Sequence, residues 1–277
     1  MTDAQHAATA VAHCGSVSAL TLGLPAATAI PEAKSRLPKA LFVGHTQLSA
    51  KLKQRLTNDI AGITMLALLR PANTRLAAGT RVPEVLVIGL RLAPKATTVP
   101  TEVIELIAAQ RRSGIVFVVV RDWMHEGTVR EECTLAVRRA LPGRAGHLPV
   151  HEVFADEWRP AGEATLDIDD CTAAGAYGAG SSSAADTATA DSAGSIGTAT
   201  IDDLWASCCA QVILGTTDGT DLDARIVRRT QITQLETTID KLARDHQRAK
   251  DADQRNEIFA KLHKAKQQLE SLRAQGQ

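Results

Sequence analysis

The chain has no net charge to speak of. Its 277 residues carry 31 Lys and Arg against 31 Asp and Glu, so the whole shows no bias toward nucleic acid or a membrane surface. It also lacks paired cysteines. Cys14, Cys133, Cys171, Cys208 and Cys209 are odd in number and without zinc-site spacing, which argues against a disulfide framework and for reduced cytosolic thiols. No apolar run approaches the roughly 20 residues that span a bilayer. The first 25 residues are rich in Ala and Thr but hold Asp3 and His6, and no basic stretch leads into an apolar core, so a signal peptide is not expected. A soluble, cytoplasmic protein is expected. Catalytic signatures are missing too: no glycine-rich phosphate loop follows a strand, and no Gly-x-Ser-x-Gly elbow occurs. Many metal-dependent nucleases place an acid two residues before a lysine on a central strand, where this chain has Gly89-Leu90-Arg91.

What is present is organised around residues 84–121. Val85, Leu86, Val87, Ile88 and Leu90 form an apolar run, and Ile115 to Val120 form a second. Runs without alternation mark strands buried on both faces. Between them, Thr101 to Arg112 has helical spacing, with Val103, Ile104, Leu106 and Ile107 apolar, and Ser113-Gly114 ends it. A strand-helix-strand unit with parallel strands and a right-handed crossover follows.

Around this unit the chain reads as follows. Residues 1–28 are expected to be a flexible lead, and Ile30-Pro31 opens the ordered part, whose α/β core covers 29–171. Leu48, Leu52, Leu56 and Ile60 repeat every four residues and predict an amphipathic helix, and Ile63 to Leu69 a strand. Asp122 to Gly127 is expected as a turn, with further strands over Val129 to Arg139 and Val150 to Trp158. Residues 172–199, almost wholly small and polar, predict a disordered insertion, because they cannot bury enough apolar surface to offset their ordering entropy. A helix over 200–219, capped by Thr200 with Asp203, completes the core. The expected fold is α/β or α+β, a mixed sheet of about four to five strands with a C-terminal helical arm over 220–277.

In that arm Ile232, Leu235, Ile239, Leu242, His246 and Ala249 form one stripe, and Ile258, Leu262, Ala265, Leu269 and Leu272 another in a different phase. Asp251 with Gln254 can cap a new helix between them, which favours an antiparallel hairpin over one straight rod. From Arg225 to Gln277 there are 12 Lys and Arg against 7 Asp and Glu, a net of +5. Arg225, Arg228 and Arg229 share a helical face at the entry and are the candidate phosphate contacts; solvated surface is the competing reading.

No catalytic residue, metal ligand or cofactor is assigned. His125-Glu126, His151-Glu152 and Asp167 to Asp170 lack metal-site spacing and read as surface or capping groups. Cys208-Cys209 lies beside Trp205 and Val212 on a helix and reads as core.

The order of features, Ile30-Pro31-x-x-Lys34 with Leu37-Pro38-Lys39, Leu52-Lys53, Asp59-Ile60-x-x-Ile63, Leu69-x-Pro71, the Val85 to Leu90 strand, Phe117, Glu157-Trp158 and a charged helical pair, resembles the bacterial domain-of-unknown-function family 4391. The likeness covers residues 30–273 outside the insertion. Members are often encoded beside helicases and DNA methyltransferases in restriction-like phage-defence islands. No family active site is available to carry over. The resemblance implies a cytosolic part of a multi-protein DNA-targeting system. The first expectation is therefore a non-catalytic accessory or assembly subunit that docks a helicase or methyltransferase partner, with DNA contact through the arginine cluster and the apolar stripes of the terminal helices as a route to homo-oligomers. The rival expectation is a metal-dependent nuclease of atypical arrangement using Glu84, Asp122 or Asp167 to Asp170.

Overall fold

The computed structural model describes residues 10–44, 48–141, 149–168 and 199–274. The chain divides into two compact units, Met1–Thr220 and Asp221–Gln277. Elements of the first unit, in order, are β1 (His13–Cys14), β2 (Val17–Ser18), α1 (Ala40–Val43), α2 (Ala50–Asn58), β3 (Ile60–Leu69), α3 (Pro71–Thr74) and β4 (Val85–Leu92). They continue with α4 (Thr101–Ala109), β5 (Gly114–His125), β6 (Thr128–Leu141), β7 (Val150–Ala155), β8 (Arg159–Pro160) and α5 (Ile201–Leu214).

The two apolar runs are β4 and β5, and they pair in parallel from Val85↔Gly114 to Arg91↔Val120. Their connection through α4 is the strand-helix-strand unit read from the sequence. Antiparallel neighbours extend it on both sides, giving a mixed six-stranded sheet in the order β3-β4-β5-β6-β7, with β8 also paired to β6. Side chains alternate across a strand, so each run supplies both faces of the sheet. Leu86, Ile88, Leu90, Ile115, Phe117 and Val119 form one face and pack with Val103, Ile104 and Ile107 of α4 and Leu56 of α2. The other face presents Val116, Val118, Val120, Cys133, Leu135 and Val137, all buried. Here Cys14 lies directly over Gly89, and the Trp205 ring of α5 lies where a Cβ on Gly114 would fall, within 2.6 Å.

That second layer corrects the flexible lead expected over 1–28. Ala12, Cys14, Val17, Ala19, Leu22 and Leu24 are all buried. Ala12 N–H donates to Ile30 O at 2.8 Å and Ile30 N–H to Leu66 O at 3.0 Å, so this segment is tied to β3. Residues 1–9 lie outside the described residues. So does nearly all of the stretch expected as an insertion over 172–199, of which only Ala199 is described.

The turn expected over Asp122 to Gly127 is also corrected. Strand pairing continues to His125↔Thr128, and only Glu126 and Gly127, with φ 49° and 79°, make the turn. Two residues at positive φ match the strand twist and allow a two-residue hairpin. β5 and β6 therefore run on as a two-stranded ribbon beyond the end of β4.

The helix expected over Thr46 to Ile60 runs from Ala50 to Asn58, where Ser49 Oγ accepts from Leu52 N–H, and Ile60 opens β3 instead. At α5 the reciprocal Thr200–Asp203 cap is formed, and Gly215 closes the helix in the left-handed conformation at φ 70°.

The second unit is a hairpin of α6 (Leu222–Arg248) and α7 (Ala252–Ala274). Asp251 Oδ2 accepts from Gln254 N–H at 3.0 Å, which starts α7 where the sequence places a cap. The helices are antiparallel: Arg273 bonds Glu236 at 2.7 Å near one end, and the His246 and Phe259 rings lie 6.1 Å apart near the other.

Candidate functional site

Hairpin register decides which charges meet. With the turn at Glu126-Gly127, Asp122 falls opposite Glu131 and Arg121 opposite Glu132. Like charges placed directly across a strand pair destabilise it unless a cation intervenes. Arg91, the last residue of β4 paired to β5, supplies that cation. Its Nη2 donates to Asp122 Oδ1 at 2.6 Å and its Nη1 to Glu131 Oε1. Ser16 N–H donates to Glu131 Oε2 at 2.6 Å, and the Ser16 hydroxyl donates to the same oxygen. Gly15 at φ 61° brings its backbone against Glu131, where a Cβ would collide with the carboxylate. The cluster thus sits at the carboxyl ends of the two parallel strands, the place where open α/β sheets commonly bind ligands.

Burial opposes ionisation of Glu131, but the Ser16 hydroxyl and N–H and the Arg91 guanidinium outweigh it and hold the carboxyl below its usual range. Burial likewise opposes the charge on Arg91, and the bonds to Asp122 and Glu131 overcome it. The neighbouring thiols go the other way. Burial pushes Cys14 up to about 12 and Cys133 up to about 11, so neither provides a thiolate near neutral pH.

On the opposite face of the same ribbon, Arg121 is clamped. Its Nε and Nη2 donate to Glu132 Oε2 at 3.1 and 2.8 Å, and its Nη1 donates to Thr97 O. Its guanidinium carbon lies 4.3 Å from the Trp123 ring centre and 3.8 Å from that of Trp158. A guanidinium between two indoles is favourable and fixes the β5 exit to the loop after β4.

A third polar arrangement lies at the start of α5. Asp202 accepts backbone N–H bonds from Thr80 at 2.8 Å, Arg81 at 3.1 Å and Val82 at 2.8 Å, and one from the Thr80 hydroxyl at 2.9 Å. Burial opposes the charge, yet the three N–H groups hold this carboxyl below its usual range.

The acids of the rival nuclease arrangement do not converge. Glu84 precedes β4 and meets Arg70 and the Ser113 hydroxyl. Asp122 lies past the other end of the β4–β5 pairing, nine residues further along the strand direction, about 30 Å at ~3.3 Å per residue. Asp167 N–H bonds Gln211 Oε1 beside α5, and Asp169 and Asp170 lie outside the described residues. His125-Glu126 occupies the exposed ribbon tip, and His151-Glu152 is exposed on β7. Among the described residues, no group of three or more His, Cys, Asp or Glu is arranged to hold a metal ion. Among them also, no helix is long and apolar enough to cross a membrane.

Arg225, Arg228 and Arg229 all lie in the first two turns of α6, the first two half-buried and Arg229 exposed. The sequence reading missed Arg91, Glu131 and Ser16. Pairing the ribbon by its Glu-Gly turn would have set Asp122 against Glu131; Ser16 carried no signal of its own.

A family model described as a domain of unknown function matches residues 22–269. The chain belongs to that family, DUF4391. The DUF4391 match takes in β3 to β8, α5 and the greater part of the terminal hairpin. It begins after Ser16, so the segment that clasps Glu131 precedes the matched span. No curated protein and no solved structure matches the chain.

Proposed function

We propose that this DUF4391 protein is a non-catalytic accessory or assembly subunit of a bacterial restriction-like or phage-defence system, and that its helical hairpin docks a helicase or DNA methyltransferase. The observation that carries the reading is the hairpin itself. It is a compact unit of its own, Asp221–Gln277. Its seam residues Ile232, Leu235, Ile239 and Leu242, with Ile258, Leu262, Leu269 and Leu272, are only half-buried, and Phe259 is 56% exposed. Apolar surface left partly uncovered on a charged arm supports an interaction role. The charge cluster supports the same reading: Arg91 stands between Asp122 and Glu131, where a nuclease would hold its metal ion.

Truncation after Gly219 should leave a folded α/β domain that no longer captures a helicase or methyltransferase partner. Circular dichroism and pull-down measure the two halves of that result. An unfolded truncation product, or capture that persists without the arm, would overturn the reading. Metal-dependent cleavage of plasmid DNA by the full chain, lost on Asp122→Ala, would establish the nuclease instead.

Arg225, Arg228 and Arg229 bear on DNA contact. With all three changed to Ala, electrophoretic titration against salt should show weaker binding to duplex DNA. The slope should fall by up to about 3 if each arginine neutralises one phosphate. Absence of salt-sensitive binding by the unaltered protein would make these arginines solvated surface.

A further inference from the structure

The two flanks of the terminal hairpin differ in chemistry. On α7, Phe259, Lys266 and Arg273 recur every seven residues, and on α6 Arg229 and Glu236 lie seven apart. The Arg273–Glu236 bond at 2.7 Å places these two rows on the same side of the hairpin. These two rows therefore show three exposed cations, Arg229, Lys266 and Arg273, and an exposed aromatic, and their one carboxylate is already bonded. The other flank carries Gln231, Thr238 and Asp245 against Gln254, Lys261 and Gln268, and Lys261 is bonded to Glu257 at 2.6 Å.

We infer that the Phe259 flank is the docking face for an acidic, amphipathic helix of a partner protein, an inference that rests on the accessory-arm reading. Three observations select this occupant. Seven residues along a helix are about 10.5 Å, the interval at which a third helix packed alongside repeats its own contacts. Phe259 is 56% exposed at the head of the α7 row, and an aromatic anchor flanked by charged residues is the composition of a protein hot spot. A phosphate backbone has no use for that ring. Over the whole unit, Asp221–Gln277, 12 Lys and Arg stand against 9 Asp and Glu, a net of +3, so a second copy meets like charge and an acidic helix meets its complement.

The test uses the full-length protein and a fluorescently labelled synthetic three-heptad peptide, leucine along one face and glutamate beside it. Anisotropy should show saturable binding that a scrambled peptide does not reproduce. Phe259→Ala should weaken it about tenfold or more, the loss of a hot-spot side chain. Arg229→Glu with Lys266→Glu should abolish it, while Gln268→Ala on the other flank should leave it unchanged. Circular dichroism confirms that each variant keeps its helices.

The inference falls if the peptide does not saturate, if the charge reversals or Phe259→Ala leave binding intact, or if a duplex oligonucleotide displaces the peptide. It falls equally if light scattering finds a dimer that Phe259→Ala dissolves, since a second copy then covers the flank. If partner capture still requires the arm but the peptide fails to bind, the accessory-arm reading stands and this inference alone is lost.

Discussion

Replacing Asp202 by Ala should lower the stability of the folded protein by about 3 kcal/mol, because it strands three N–H groups that now share one buried carboxylate. Asn in its place should recover part of that loss, since an amide oxygen accepts some of the same bonds but carries no charge. Urea unfolding at neutral pH measures both. The acid limb carries a second signature. The folded-state pKa of Asp202 is depressed below its ordinary 3.8, so its contribution is complete above that value. It is lost as pH falls through the lower folded-state pKa. The gap between wild type and Asp202→Ala should therefore be constant near neutrality and close only at strongly acid pH. A gap that closes nearer neutrality, or a cost within measurement error, would mean the carboxylate does not organise residues 80–82.

Arg91→Ala should be the second costly change, at about 2 kcal/mol. Removing one member of a fully buried ion pair costs about 3–5 kcal/mol, and the Arg91 side chain retains 27% exposure, which lowers that figure. The remainder arises because Asp122 and Glu131 would face each other across the ribbon with nothing between them. Glu131→Gln added to Arg91→Ala should therefore restore stability. In the wild type the Glu131 carboxyl is held below its ordinary 4.5, so its share is present above that value and lost as pH falls through its folded-state pKa. Arg91→Ala removes a cause of that depression, so its deficit should shrink in the same acid range. If the double variant is less stable than the single one, repulsion between the carboxylates is not the source of the loss.

The central unit was legible because strands buried on both faces need continuous apolar runs, and nothing else in the chain looks like Val85 to Leu90 or Ile115 to Val120. Caps were legible for a related reason: Thr200 with Asp203 and Asp251 with Gln254 act within one helical turn, so sequence distance and spatial distance agree. The N-terminal layer was not. Its strands β1 and β2 have two residues each, too short for any period, and Ala12, Val17, Leu22 and Leu24 are scattered among small polar residues. Their burial depends on a sheet face assembled from distant parts of the chain. The charge cluster was hidden for the same reason. Arg91, Asp122, Glu131 and Ser16 converge only once strand pairing and ribbon register are both known.

The clasp between Ser16 and Glu131 spans 115 residues, and this bears on how the protein comes off the ribosome. At about 5–20 residues per second, the segment holding Ala12, Val17, Leu22 and Leu24 is made roughly 6–23 s before the carboxylate that fastens it. Until β4, β5 and β6 have emerged, those apolar side chains have no sheet face to cover. The earliest-made layer of this domain is thus among the last to be secured, and a nascent chain paused before Glu131 would present it to whatever chaperone stands at the tunnel exit.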